Sequence, residues 1–131
     1  METGTSSEKQ RVLVVDDNRD AADTLAMMLK LTGYETRACY SGTEGVATAE
    51  LYQPMAIVLD IGMPDITGYE ACRQIRETAW GQSPLIIALT GYGADEDRFK
   101  STQAGFDAHL LKPVDLSELS RLLKERQSSL A

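Results

Sequence analysis

Five residues, each standing just past an apolar run, have the types to do chemistry together. Asp16 and Asp17 follow RVLVV (11–15), Asp60 follows MAIVL (55–59), Thr90 follows PLIIAL (84–89) and Lys112 follows DAHLL (107–111). Two carboxylates about 5 Å apart, at an effective dielectric of ~20, repel by roughly 3 kcal/mol. A single domain holds only about 5–15 kcal/mol of net stability. Three acids gathered in one place are therefore costly as surface but well suited to a divalent cation. Two side-chain oxygens and a main-chain carbonyl, with water or phosphate completing the shell, favour Mg2+, and Mn2+ takes similar donors. The Thr90 hydroxyl beside the bare backbone of Gly91 suits a phosphoryl oxygen, and Lys112 would neutralise an anion held there. Singly, each has a plain reading. Asp16-Asp17 before Asn18 reads as a helix cap, a strand-end threonine as the start of a turn, and a lysine beside a proline as a solvated charge. Only the set points to a site.

Whether the five residues meet depends on the elements that carry them. RVLVV, MAIVL and PLIIAL are continuous apolar runs too short for helices, as strands covered on both faces are. YETRAC (34–39) alternates like an edge strand, and DAHLL is a weaker fifth. After Asp17, the residues Ala21, Leu25, Met28, Leu29 and Thr32 fall on one side of a helix that Gly33 stops. Ser41 with Glu44, and Thr67 with Glu70, match the capping box and predict two more helix starts. Asp115 caps a further helix with Leu116, Leu119, Leu122 and Leu123 on one face, while GADEDRFKSTQAG (93–105) is the weakest helical segment. Five strands alternating with five helices predict an α/β fold. It is a (βα)5 doubly wound, flavodoxin-like three-layer sandwich on a parallel five-stranded sheet of order 2-1-3-4-5. Such sheets bind ligands beyond the carboxyl ends of their strands, where the order reverses. That point lies between the first and third strands, where all three aspartates stand. Residues 1–9 read as a flexible tail or linker, 10–127 as the domain, and 128–131 as a short tail.

Composition excludes several classes. With 13 basic and 20 acidic residues the formal charge is −7, so no basic stripe is available for nucleic acid or an anionic membrane. No apolar run has the length of a membrane span, and METGTSSEKQ lacks the basic and apolar regions of a secretion signal. A cytoplasmic location is expected. Cys39 and Cys72 are far apart without zinc-spaced partners and read as buried, reduced thiols.

The ordered motifs VVDDN (14–18), VLDIGMPDITGYE (58–70), IIALTGYG (86–93) and HLLKPVD (109–115) resemble the receiver domain of two-component response regulators, over about residues 10 to 126. That resemblance implies that Asp60 accepts a phosphoryl group from the phosphohistidine of a histidine kinase or histidine phosphotransfer domain. It implies that Asp17, Asp60 and the Gly62 carbonyl bind Mg2+, with Asp16 acting mainly through water. Thr90 and Lys112 would bind phosphoryl oxygens, and the Lys112–Pro113 peptide would be cis. The product is an acyl phosphate that the same site hydrolyses. The domain is then a signalling phosphoacceptor with self-phosphorylation and self-dephosphorylation chemistry rather than an enzyme, and a monomer or weak dimer.

The chain departs from the family pattern at the switch. The aromatic residue usual on the fifth strand, three before the lysine, is His109, the single histidine. It reads either as the rotating switch residue or as a strand histidine without that role. Two positions that flank the attacking water in this family are Gly62 and Tyr92. Glycine leaves the path open, whereas tyrosine would cover it and slow hydrolysis. On the first helix, placing Leu25 toward the sheet turns Met27 and Leu31 outward beside Asp20, Asp23 and Thr24. A Met/Leu pair there suits docking onto a helical bundle that carries the donor histidine.

IALTGYG and GFDAHLLKPVD resemble most the receivers of hybrid sensor histidine kinases. An excised receiver is therefore expected, with a stand-alone single-domain response regulator as the alternative and an inert pseudo-receiver ranked lower. A phosphatase resembling the haloacid dehalogenase group would want a second aspartate where Gly62 stands, and a lid. A flavodoxin-like nucleotide carrier would want a hydroxyl- and glycine-rich loop where DDNRD would repel phosphate.

Overall fold

The computed structural model describes residues 10–91, 100 and 102–130. The strands are β1 (Arg11–Val15), β2 (Glu35–Cys39), β3 (Ala56–Asp60), β4 (Leu85–Thr90) and β5 (Ala108–Leu111). The long helices are α1 (Arg19–Leu31), α2 (Gly42–Tyr52), α3 (Gly68–Arg76) and α4 (Leu116–Leu130), with a 3-10 turn at Trp80–Gln82. All strand pairs are parallel and the order is β2-β1-β3-β4-β5. The 93–105 segment falls largely outside the described residues; Lys100 and residues 102–104 within it are helical.

Side chains alternate across a strand, so each central strand feeds two cores. Val12, Val14, Val58, Ile87 and Leu89 face one side with Leu25, Leu29, Leu119 and Leu123. Leu13, Val15, Ile57, Leu59 and Ile86 face the other with Ala49, Ala71, Cys72 and Ile75. Both thiols are buried and unpaired with each other, and burial pushes the Cys72 thiol up to about 12.

The helix starts follow their cap residues. Ser41 accepts from the Glu44 N–H at 3.1 Å, Thr67 from Glu70 at 3.2 Å, and Asn18 from Ala21 at 3.1 Å. Two expectations are corrected. The buried face of α1 is Ala22, Leu25, Ala26 and Leu29, whereas Ala21 and Thr32 are exposed and Met28 is 37% exposed. Apolar periodicity favours a methionine over an alanine, but close packing of a helix on a sheet favours the smaller side chain. The last helix also runs through Leu130, into the segment read as a tail, because no glycine or proline stops it.

Gln53, the residue that ends α2, has φ 48°, in the left-handed region where a β-carbon is strained. Gln53→Gly is expected to raise stability by about 0.5 kcal/mol, read as a higher urea midpoint at unchanged slope.

Candidate functional site

Parallel register brings the strand ends level. Val15 pairs with Leu59, so Asp16 and Asp60 emerge side by side. Thr90 ends the next strand, opposite Leu111, and the Lys112 N–H donates to the Thr90 carbonyl at 2.8 Å. Among the described residues the buried polar or charged side chains are Asp16, Asp60 and Thr90. All three stand at the carboxyl ends of the central strands.

The Lys112 ammonium lies 3.1 Å from Asp60 Oδ1 and 3.4 Å from Asp16 Oδ2. Asp17 completes the acidic group from an exposed position, and one oxygen of each of the three carboxylates lies within 4.8 Å of the others. The Asp16 carboxyl is raised above its ordinary pKa, first by burial and then by the Asp60 charge, against the Asn18 N–H bond and Lys112. Burial alone would lower the Lys112 ammonium; its bond to Asp60 and the two carboxylate charges outweigh that, and the net shift is upward. One ammonium cannot balance three carboxylates. Close-set hard oxygens with an excess negative charge fit Mg2+ or Mn2+.

The helix-cap reading of Asp16-Asp17 falls away here, because Asn18 caps α1 with its own side chain. Asp16 instead accepts the Asn18 N–H on Oδ1 at 3.0 Å, which turns its other oxygen toward Lys112. Asp60 Oδ1 accepts the Gly62 N–H at 3.2 Å. A cleft of about 440 Å³ opens over these groups, lined by Asp16, Asp17, Asp60, Gly62, Thr90 and Lys112 among others. The Lys112–Pro113 peptide is cis.

The remaining candidates lie apart from this cluster. His109 is half-buried on β5, opposite Ala88. Met27 and Leu31 are 63% and 81% exposed on the outer side of α1. Tyr92 lies outside the described residues. On the same edge of the molecule, the Tyr40 hydroxyl donates to Asp23 Oδ1 at 2.5 Å, and the Arg19 guanidinium stacks 4.2 Å over the Tyr40 ring.

Sequence reasoning passed over Asp65, at the far end of the loop that follows β3. Its carboxylate accepts the Thr43 N–H at 2.8 Å and the Gly42 N–H at 3.0 Å. Those bonds, with the Thr43 hydroxyl, hold its carboxyl well below the usual carboxylate range. A depressed folded pKa stabilises above the unfolded value, near 4, and that contribution is lost as pH falls through the folded value. Parent and Asp65→Asn should therefore differ most at pH 6, by about 1 kcal/mol, and the gap read from their urea midpoints should narrow progressively as pH falls below about 4.

Comparison with known proteins agrees with this geometry. The model of the response regulator receiver domain matches residues 12–124. An uncharacterised 14.6 kDa protein of Leptolyngbya boryana is 37% identical over 114 residues, which is 87% of each chain. The response regulator MprA of Mycobacterium avium is 38% identical over 83% of this chain, which spans 47% of MprA's length. Among solved structures, the receiver domain of the sensor histidine kinase PA1611 of Pseudomonas aeruginosa, with magnesium in its active-site cleft, superposes with a TM-score of 0.82. It is 35% identical, over 90% of this chain and 97% of that one. The chemotaxis protein CheY4 of Vibrio cholerae gives 0.85 at 26% identity, over 90% and 98%. A strand-end acid cluster on this sheet order, together with a family match over most of the chain, makes the protein a member of the response regulator receiver family.

Proposed function

We propose that the domain receives a phosphoryl group on Asp60 from the phosphohistidine of a histidine kinase or phosphotransfer domain, and that the acyl phosphate alters its protein contacts. The observation that carries this reading is the burial of Asp16, Asp60 and Thr90, the buried polar residues among those described, with Lys112 reaching two of them. In the transfer, an Asp60 oxygen bonds to phosphorus as the imidazole N–P bond breaks, and the imidazole departs with its electron pair. Asp60 is held for this by its Gly62 bond, and Lys112 stands beside the oxygen. Such transfers depend on positioning and charge neutralisation more than on covalent machinery. Thr90 and Lys112 take the phosphoryl oxygens. Asp17, Asp60 and the Gly62 carbonyl are the proposed Mg2+ ligands, with Asp16 behind water; the cation would supply the charge that one ammonium lacks. His109 is the proposed switch residue, and Gly62 and Tyr92 tune hydrolysis.

The phosphodonor is proposed to dock on α1 through Met27 and Leu31. Met27→Glu should slow transfer from the partner kinase roughly tenfold, while uptake from acetyl phosphate is unchanged. An equal rate from the kinase would mark the patch as incidental. A hybrid-kinase origin in the cytoplasm is the proposed context, supported by likeness to a sensor kinase's receiver; the 14.6 kDa relative, matched over 87% of its length, supports the stand-alone alternative. Among the described residues no helix is long and apolar enough to cross a membrane. Acetyl phosphate with Mg2+, followed by intact mass and peptide mapping, tests the central reading. One phosphoryl group on Asp60 supports it; none, or one elsewhere, refutes it.

A further inference from the structure

We infer that Asp65 is the positioning residue of the phosphoacceptor loop, fixing where the Gly62 carbonyl stands relative to Asp16 and Asp17. The inference rests on the cation reading of the cleft. The loop runs from Ile61 to the Thr67 cap. Its near half is tied to β4 and to its own first residue. Ile61 N–H donates to the Leu89 carbonyl at 3.2 Å, Met63 and Gly68 donate to the Ile61 carbonyl at 3.1 and 2.9 Å, and the Met63 side chain is buried. Pro64 then has no N–H to give.

The far half is anchored on a different element. Asp65 receives Gly42 N–H on Oδ1 and Thr43 N–H on Oδ2, the first two donors of α2. Those donors have no partner within the helix, and a carboxylate there sits in the positive end of the helix dipole. Beside it Ile66 presses on Gly42, where a β-carbon would lie 2.5 Å from Ile66 Cγ1. α2 is in turn seated on β1. A β-carbon at Gly45 would lie 2.9 Å from the methyls of Val15, the residue before Asp16. The Gly62 carbonyl is thus tied to the β1 acids twice, through the β1–β3 ladder and through Asp65, α2 and Val15. Gly62 itself is held by one bond, its N–H to Asp60 Oδ1 at 3.2 Å, and a β-carbon there would meet nothing within 4 Å. Its orientation is set by the loop's two anchors, and Asp65 is the outer one.

The test is a Mg2+ titration of the full chain, followed by the NMR shift of the Gly62 amide, with urea midpoints measured separately. Asp65→Ala should weaken Mg2+ binding roughly five- to tenfold. Asp65→Asn, which keeps one acceptor oxygen, should weaken it roughly two- to threefold. Thr67→Ala removes a cap of similar worth from the same loop without touching α2, and should leave Mg2+ affinity within about twofold. If Thr67→Ala weakens binding as much as Asp65→Ala does, the effect is general loosening and the positioning role is wrong. Equal affinity in the parent and both Asp65 variants also overturns it, and leaves the cation site standing. A parent chain whose Gly62 amide ignores Mg2+ overturns the cation reading and this inference together.

Discussion

Asp60→Asn should abolish phosphoryl uptake from acetyl phosphate and make the protein harder to unfold. The first half follows from chemistry, because an uncharged amide is no nucleophile toward phosphorus. The second follows from the electrostatics of the cleft. Asp16 and Asp60 are 2% and 5% exposed and share one ammonium, and the Asp16 carboxyl is raised by burial and by its neighbour's charge. Removing the Asp60 charge relieves a repulsion of up to about 3 kcal/mol and forfeits part of the Lys112 attraction. The amide oxygen still accepts the Gly62 N–H. A net gain of about 1 kcal/mol is expected, read as a higher urea midpoint in Mg2+-free buffer. A variant that still gains one phosphoryl mass, or that unfolds at lower urea, would contradict the account of the cleft.

Gly68→Ala should be among the most damaging single substitutions in the domain. Gly68 opens α3 directly beneath Asp60. A β-carbon there would lie 2.5 Å from the Asp60 carbonyl oxygen and 2.7 Å from Ile61 Cα. Both are backbone atoms, so no side chain can swing aside. The overlap is relieved only by moving β3's end or the helix, at a cost of about 3 kcal/mol. Because the atoms displaced belong to Asp60 and Ile61, the surviving folded fraction should also accept phosphate slowly. The paired measurement is a urea melt and the rate of acetyl phosphate uptake at low temperature, where the variant is still folded. Parent-like behaviour in both would mean that α3 sits further from the strand than described.

How much of this was legible in the sequence varies by element, for identifiable reasons. The central strands were plain, because a parallel strand covered on both faces reads as a continuous apolar run, and RVLVV and MAIVL are such runs. Their parallel order then carried Asp16, Asp60 and Thr90 to one end of the sheet with no further information. The phase of α1 was less legible. Ala22 and Ala26 carry little hydrophobic signal, yet they are buried because they are small, while the stronger signal of Met28 faces outward in part. The Asp65 anchor was not legible at all. Its partners are main-chain N–H groups 22 and 23 residues earlier in the chain, and a backbone donor leaves no mark in a sequence. The caps at Ser41 and Thr67 succeeded for the converse reason, since cap and donor lie within one turn.

That the buried polar and charged residues, among those described, are Asp16, Asp60 and Thr90 has an evolutionary corollary. The two apolar cores beneath them do not draw on the acids' charge, so a substitution such as Asp60→Asn, which keeps an acceptor oxygen and sheds the charge, runs downhill in free energy. Descendants of such a gene drift readily toward sturdy, silent copies, and only selection for signal holds the charged rim in place.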